Sequence, residues 1–230
     1  LSPIKDHNDV PLRDPENILG IDLGIKDMVV TSEGEIFPAP KLMKKSRGKL
    51  REISKHLSRC QMRSNRRGKA KLALARLHEK VSNQRKDFNH KLSRMLVNKG
   101  ENQAFAIENL NIKGMMGNHK LATHIADCGW NQFLMFLKYK AAAVGKHVLE
   151  VGRFYPSSKT CSVCGAVRQS LPLSVREWKC SDCGSIHQRD VNAAINIALE
   201  AARNFASDRG GGVIPGICRV PVCETRSPIL

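Results

Sequence analysis

The sequence predicts an α/β fold that carries an inserted basic helical hairpin and a four-cysteine module, and three observations lead there. Apolar runs of strand length recur near the start and again in the middle of the chain. Between them lies a stretch dense in lysine and arginine whose apolar residues have helical spacing. Towards the end stand two CxxC pairs separated by 15 residues.

The 230 residues hold 38 Lys+Arg against 21 Asp+Glu, a formal net charge of +17. Residues 41–99 contain 20 basic residues and three acids (Glu52, Glu79, Asp87), so this segment carries the whole excess and the rest of the chain is formally neutral. Charge of one sign at this density repels itself unless a polyanion offsets it, which points to nucleic acid. Hydrophobic residues at 41% argue against wholesale disorder. No run approaches the roughly 18 apolar residues of a membrane span, and Leu1 to Glu16 offers neither a basic nor an apolar leader region. The expectation is a protein neither embedded in a membrane nor secreted. It begins at Leu1 and is expected to be a fragment or a processed product.

Ile18 to Leu23 reads as a buried strand, Met28 to Thr31 as a second and Glu35 to Phe37 as a third, joined by tight turns into a meander that Pro38 and Pro40 end. In the basic segment, Leu50, Ile53 and Leu57, then Leu74, Leu77, Val81, Phe88, Leu92 and Met95, predict two helices with narrow apolar stripes. Ser64 to Gly68 is the expected break between them. Gln103 to Glu108 predicts another strand, Asn111 to Lys120 a polar loop, Trp130 to Val144 an amphipathic helix and Val148 to Val151 one more strand. Asp190 to Ala206 predicts a last helix with Val191, Ala194, Ile195, Ala198 and Leu199 on one face, followed by a loose glycine-rich tail.

Cys161 and Cys164, each pair followed by glycine, are matched by Cys180 and Cys183 in the spacing of a zinc ribbon. Four thiolates complete a tetrahedron, so this zinc is expected to be structural. His187 could replace one of them. The alternative, two disulfides, would need an oxidising compartment, and Cys60, Cys128, Cys218 and Cys223 lack metal spacing.

Three carboxylates stand out. Asp22 sits within an apolar strand, where an unpaired charge is costly unless it binds something. Glu108 ends a second strand and Asp190 opens the last helix, where it could instead be an N-cap. An Asp on the first strand of a meander, a Glu on a later strand and an Asp on a following helix match the acidic constellation of the RNase H-like fold. In that fold, carboxylate oxygens hold two magnesium ions about 4 Å apart for phosphodiester hydrolysis. The GIDLG run alone would also suit an actin-like ATPase, but no second phosphate-binding strand follows.

With these residues in place, the chain resembles the TnpB family, the OrfB-type proteins of insertion sequences. The resemblance rests on GIDLGIKD at 20–27, RLHEKVSNQRKDFNHKLS at 76–93, AIENLNIKGM at 106–115, RFYPSSKTCSVCG at 153–165, and KCSDCG with QRDVNAAINIA across 179–198. It implies a RuvC-type RNase H-like nuclease, guided by RNA and cutting DNA, with a zinc ribbon inserted before its last catalytic helix. By motif, Asp22, Glu108 and Asp190 carry over as magnesium ligands, and Cys161, Cys164, Cys180 and Cys183 as zinc ligands. The partners implied are a guide RNA and target DNA, in a prokaryotic cytoplasm near the nucleoid. Phosphate contacts are expected from Lys44, Lys45, Arg47, Lys49, Arg59 and Arg63, and from Arg66, Arg67, Lys69, Lys71, Arg76, Arg85 and Lys86. Trp130, Phe154 and Tyr155 are expected to pack.

Family members carry a barrel and a helical recognition region ahead of the first strand, and only 17 residues precede Ile18 here. Gln188 also departs from the family pattern, which has Asp there, as does Asn131, where glycine is common. The expected organisation is a remnant or linker at 1–17, a nuclease core at 18–157 plus 188–206 with its hairpin at 41–99, a ribbon at 158–187 and a flexible tail at 207–230. A non-catalytic nucleic-acid-binding remnant is the competing reading, and an unguided RuvC-like nuclease ranks behind it.

Overall fold

A computed structural model describes residues 15 and 17–208. Nearly all of the expected N-terminal remnant lies outside the described residues, as does the tail beyond Asp208 with Cys218 and Cys223. Three strands, β1 (Ile18–Asp22), β2 (Asp27–Thr31) and β3 (Ile36–Pro38), form the antiparallel meander. Two further strands, β4 (Ala104–Glu108) and β5 (His147–Val151), run parallel to β1, giving the order β3-β2-β1-β4-β5.

The central strands β1 and β4 are apolar without a break because both faces are covered. Their side chains alternate in kind. Leu19, Ile21, Phe105 and Ile107 point to one side, where they meet Leu92, Leu96, Trp130, Phe133 and Leu137. Ile18, Ala104 and Ala106 point to the other and meet Ile197, Ala198, Ala201 and Ala202 of the last helix, α6 (Arg189–Asp208). Large residues thus fill one layer, and small ones let α6 approach the sheet backbone on the other. At Gly20 the approach is closest, since a Cβ there would lie 1.9 Å from the Ala194 carbonyl oxygen. A backbone atom cannot swing aside, so Gly20→Ala should destabilise the fold by about 3 kcal/mol. A fall in the urea midpoint at unchanged m-value would register it.

The basic segment forms α1 (Leu42–Arg59) and α2 (Asn65–Asn98) as a hairpin. The break falls earlier than the sequence suggests. The Ser64 hydroxyl accepts the Arg67 N–H and caps α2, so residues 65–68 are its first turn and the connection spans only 60–64. Towards the sheet, Leu92, Leu96 and Val97 are buried, while Met95, assigned to the stripe from its spacing, is exposed. No residue of α1 is fully buried.

Residues 111–128 differ more from expectation. In place of a loop to Lys120, Asn111 caps a single turn, α3 (Ile112–Met115), and Asn118 caps α4 (His119–Cys128). Gly129, at φ 64°, ends α4 and starts α5 (Trp130–Ala143), the expected amphipathic helix. Asp127 of α4 is buried, and both of its oxygens accept the Met43 N–H at 3.0 and 2.9 Å. It thereby caps α1, whose own N-cap residue Lys41 makes no side-chain bond, and fastens the hairpin to the core.

The ribbon pairs β6 (Glu177–Lys179) with β7 (Ile186–Gln188). In α6 the buried face is turned from the expected one. Ala193, Ala194, Ile197, Ala198, Ala201 and Ala202 face the sheet, whereas Val191, Ile195 and Leu199 are half-buried. The close crossing at Gly20 favours alanine over the larger residues. No described helix is long and apolar enough to cross a membrane.

Candidate active site and metal centre

Parallel pairing of Ile21 with Ile107 brings the strand ends together, so Asp22 and Glu108, the last residues of β1 and β4, are neighbours across the sheet. Asp22 thus ends its strand and does not sit in the middle of it. Asp190 enters from the first turn of α6. It is not the N-cap, because the Gln188 side-chain oxygen accepts the Val191 N–H at 2.6 Å and does that work. All three carboxylates line one cavity of about 650 Å³.

Burial, then the charges of Glu108 and Asp190, push the Asp22 carboxyl up to about 7, against the opposing pull of Arg189. Burial also raises Glu108, offset in part by the Ser157 hydroxyl, which donates to its Oε1. Two buried carboxyls beside a third, with Arg189 offsetting only part of their repulsion, resist full ionisation unless further positive charge arrives. That is the environment a divalent cation fits. The carboxylates do not close as tightly as the cysteines described below, and one of them is paired with Arg176, whose Nη1 lies 3.2 Å from Asp190 Oδ2.

In the metal-free protein the raised Asp22 value sets a sign. The folded state holds its proton between about pH 4 and 7 while the unfolded chain has lost it. Stability is therefore full below about pH 4 and falls as pH rises through about 7, by on the order of 4 kcal/mol from this group. Asp22→Asn should flatten that fall and be the more stable protein at about pH 8, as urea midpoints at about pH 5 and pH 8 would record.

The second centre is built by two matching knuckles. Gly165 N–H bonds the Cys161 carbonyl and Gly184 N–H the Cys180 carbonyl, both glycines having positive φ. The sulfurs of Cys161, Cys164, Cys180 and Cys183 all lie within 4.8 Å of one another, an arrangement suited to a single metal ion. Separations of 3.6 Å (Cys161–Cys183) and 3.7 Å (Cys164–Cys180) exclude disulfides, whose sulfurs stand about 2.0 Å apart. His187 is buried beside the cluster, Nε2 3.1 Å from Cys161 Sγ, and leans on Trp178.

The two centres are joined by residues that the sequence did not single out. Arg176 precedes β6, and its carbonyl accepts the Arg189 N–H. Arg189 Nη1 donates to Pro172 at 2.7 Å. Asn192 and Asn196, one turn apart and buried on α6, both donate to the Thr160 carbonyl, at 2.7 and 2.6 Å. They fix the loop that carries Ser157 and leads into Cys161. Two buried asparagines at i, i+4 in an alanine-rich helix are the one sequence signal that could have found this tie.

Of the residues expected on nucleic acid, Lys44, Lys45, Arg47, Lys49, Arg59, Arg63, Arg66, Lys69, Lys71, Arg76 and Lys86 are exposed. Two are turned inward to the protein. Arg67 donates to the Leu57 and Cys60 carbonyls and closes the hairpin turn, and Arg85 lies 3.5 Å from Asp127. Trp130 is buried and Tyr155 partly so, but Phe154, expected to pack, is 93% exposed because the turn at 152–155 directs it outward.

Known families and proteins resemble this chain over most of its length. The family model OrfB_IS605, described as "Probable transposase", matches residues 3–126, and the "Cas12f1-like, TNB domain" model matches residues 130–197. A protein of Streptomyces pristinaespiralis named "Putative RNA-guided DNA endonuclease" is 44% identical over 197 residues, covering 86% of this chain and 48% of that protein. "Putative RNA-guided DNA endonuclease InsQ" of Escherichia coli (strain K12) is 29% identical over 203 residues, 81% of this chain and 50% of its own. The chain thus spans about half the length of these relatives. The solved structure "Cryo-EM structure of the Cas12f1-sgRNA-target DNA complex" overlays with a TM-score of 0.61 at 19% identity, over 82% of this chain and 51% of that one, a likeness of fold.

Proposed function

Because the chain belongs to the OrfB_IS605 (TnpB) family, we propose that it is the nuclease portion of an RNA-guided DNA endonuclease. In this reading it hydrolyses phosphodiester bonds at Asp22, Glu108 and Asp190 and is held in shape by one structural zinc ion. The observation that carries the reading is the convergence of three carboxylates from β1, β4 and α6 on one cavity, with Asp22 pushed up to about 7. The strand order, with its antiparallel meander and two added parallel strands, supports an RNase H-like (RuvC) assignment.

Magnesium, as two ions held by the three carboxylates, would supply Lewis acidity and lower the pKa of an attacking water. The chain's own residues do the rest. Asp22 would have to be ionised to hold the cation, so binding should strengthen as pH rises through about 7. Ser157 holds the Glu108 carboxylate in one orientation. Asp190, paired with Arg176 in this structure, would be the third residue to hold the cation, and the Arg176 guanidinium at the cavity edge would then be available to a phosphate oxygen. Lys26, Lys41 and Lys44 line the same cavity and draw the polyanion towards it.

Zinc fits the four thiolates by donor type and by number. The exposed lysines and arginines of α1 and α2 would hold guide RNA or its hybrid with DNA through phosphates, leaving sequence choice to base pairing. RNA that co-purifies with the protein tests this reading directly. One element-derived species that programs magnesium-dependent cutting of matching DNA is the expected result. Bound RNA with no cutting of any matched DNA would favour the non-catalytic remnant.

A further inference from the structure

The four-cysteine cluster and the carboxylate cavity meet at one buried joint, built on Asn192 in the first turn of α6. Both ends of its amide are in use. Oδ1 accepts the Ser162 N–H of the first knuckle at 3.1 Å, while Nδ2 donates to the Thr160 carbonyl at 2.7 Å and reaches the Ser157 carbonyl at 3.5 Å. Asn196 donates to the same two carbonyls, at 2.8 Å to Ser157 and 2.6 Å to Thr160. Ser157 in turn gives its hydroxyl to Glu108. A line of hydrogen bonds therefore runs from the knuckle of Cys161 and Cys164 to one carboxylate of the cavity. We propose that Asn192 and Ser157 are positioning residues that couple the two centres, so that the metal-loaded ribbon raises the affinity of the carboxylates for divalent cations and cations there tighten the hold on zinc. The coupling rests on the nuclease reading of the cavity and adds to it a dependence on the ribbon's own metal.

The placement of Ser157 depends on that joint. Its segment leaves β5 and enters the knuckle at Cys161, and its backbone bonds at Ser157, Lys159 and Thr160 are short-range turns to Tyr155 and Pro156. The ties that fasten this segment to the last helix are the carbonyls held by the two asparagines and the Ser162 N–H. A knuckle of this kind is ordered by its ion. Without it the Ser162 N–H is no longer fixed, Asn192 loses one of its partners, and the Ser157 hydroxyl is no longer aimed at Glu108. A partner that orients a ligating carboxylate typically changes metal affinity by about 10- to 100-fold.

A second link between the ribbon and the cavity acts in the opposite direction. Arg176 belongs to the ribbon and pairs with Asp190, so a loosened ribbon frees that carboxylate for a cation. Burial decides which effect is larger. The Arg176 side chain is 52% exposed, and water and salt screen such a pair until it is worth little. Asn192 and Asn196 are each 1% exposed, where a lost partner leaves a polar group buried and unpaired. The net coupling is therefore favourable, and linkage makes it reciprocal: the factor by which zinc strengthens cation binding is the factor by which cations strengthen zinc binding.

Manganese(II) affinity at about pH 8, compared in zinc-loaded and zinc-free protein with the cysteines kept reduced, tests the proposal without substrate or cleavage. The wild type should bind about tenfold more weakly without zinc. Ser157→Ala and Asn192→Ala should each bind weakly even with zinc, and removing it should then change their affinity by less than about threefold. A merely structural role would weaken both forms alike and preserve the wild-type ratio. A second measurement needs no variant: manganese should lower the zinc dissociation constant of the wild type by the same factor, read by competition with a chromogenic chelator. Equal manganese affinity with and without zinc would overturn the coupling, and a zinc effect of full size in both variants would overturn its path. Neither result touches the nuclease reading, which fails instead if zinc-loaded wild type shows no manganese binding that depends on Asp22.

Discussion

Asp190→Ala is expected to lower magnesium-dependent cleavage by about a thousandfold or more, with the fold intact. A carboxylate that holds the catalytic cation supplies several kcal/mol of transition-state stabilisation, and each 1.36 kcal/mol is tenfold in rate. The structural cost should be small. Gln188 caps the start of α6, and among the described residues Asp190 forms its ion pair with the half-exposed Arg176 alone. Urea stability should therefore move by no more than about 1 kcal/mol, and zinc content should stay the same. A guide-programmed cleavage assay, read beside both controls, checks it. Cleavage near the wild-type rate would remove Asp190 from the site.

Stripping the zinc should have the second large effect. The ribbon's own core consists of Cys161, Leu171, Trp178 and Cys180, with Ala166 and Val175 packed against them. Two of the four buried members are cysteines of the proposed zinc site, so little apolar burial would remain once the metal left. Structural zinc contributes on the order of 10 kcal/mol to modules of this kind. Chelation, or Cys180→Ser, should thus unfold the ribbon while the sheet stays folded. The chain's two tryptophans divide between these regions, Trp178 in the ribbon and Trp130 in the core of the sheet. In a Trp130→Phe background, emission from Trp178 should shift to the red on chelation. Cleavage should fall with it, because Arg176 and the Ser157 loop are anchored through the ribbon and α6. Unchanged Trp178 emission would show that the metal is not what holds the ribbon.

The sequence made some of this readable and left the rest hidden, for physical reasons. The end of β4 was readable because Glu108 closes a run of apolar residues, whereas Asp22 was read as lying inside its strand because Leu23 prolongs the apolar run past the true end; parallel register makes the two ends meet. The CxxC pairs were readable because ligand spacing is local. The face of α6 was misread because Val191, Ile195 and Leu199 are the larger apolar residues, yet a helix whose carbonyl crosses Gly20 at contact distance must turn its alanines inward. The hairpin break was misread because Ser64 to Gly68 has loop composition, while a serine hydroxyl is also the strongest local reason for a helix to begin. Arg176 was hidden because only the folded ribbon brings it to Asp190. Asp127 was hidden because its partner, the Met43 N–H, lies 84 residues away in sequence.

The central claim is that Asp22, Glu108 and Asp190 together bind divalent cations, and manganese(II) titration of the zinc-loaded chain at about pH 8, above the Asp22 value, tests it most directly. The free ion is read by its electron paramagnetic resonance signal, with no guide or substrate needed. Saturable binding that Asp22→Asn weakens at least about tenfold, a change of roughly 1.4 kcal/mol, with zinc content unaltered, is the predicted result. An isotherm identical in wild type and Asp22→Asn would contradict it.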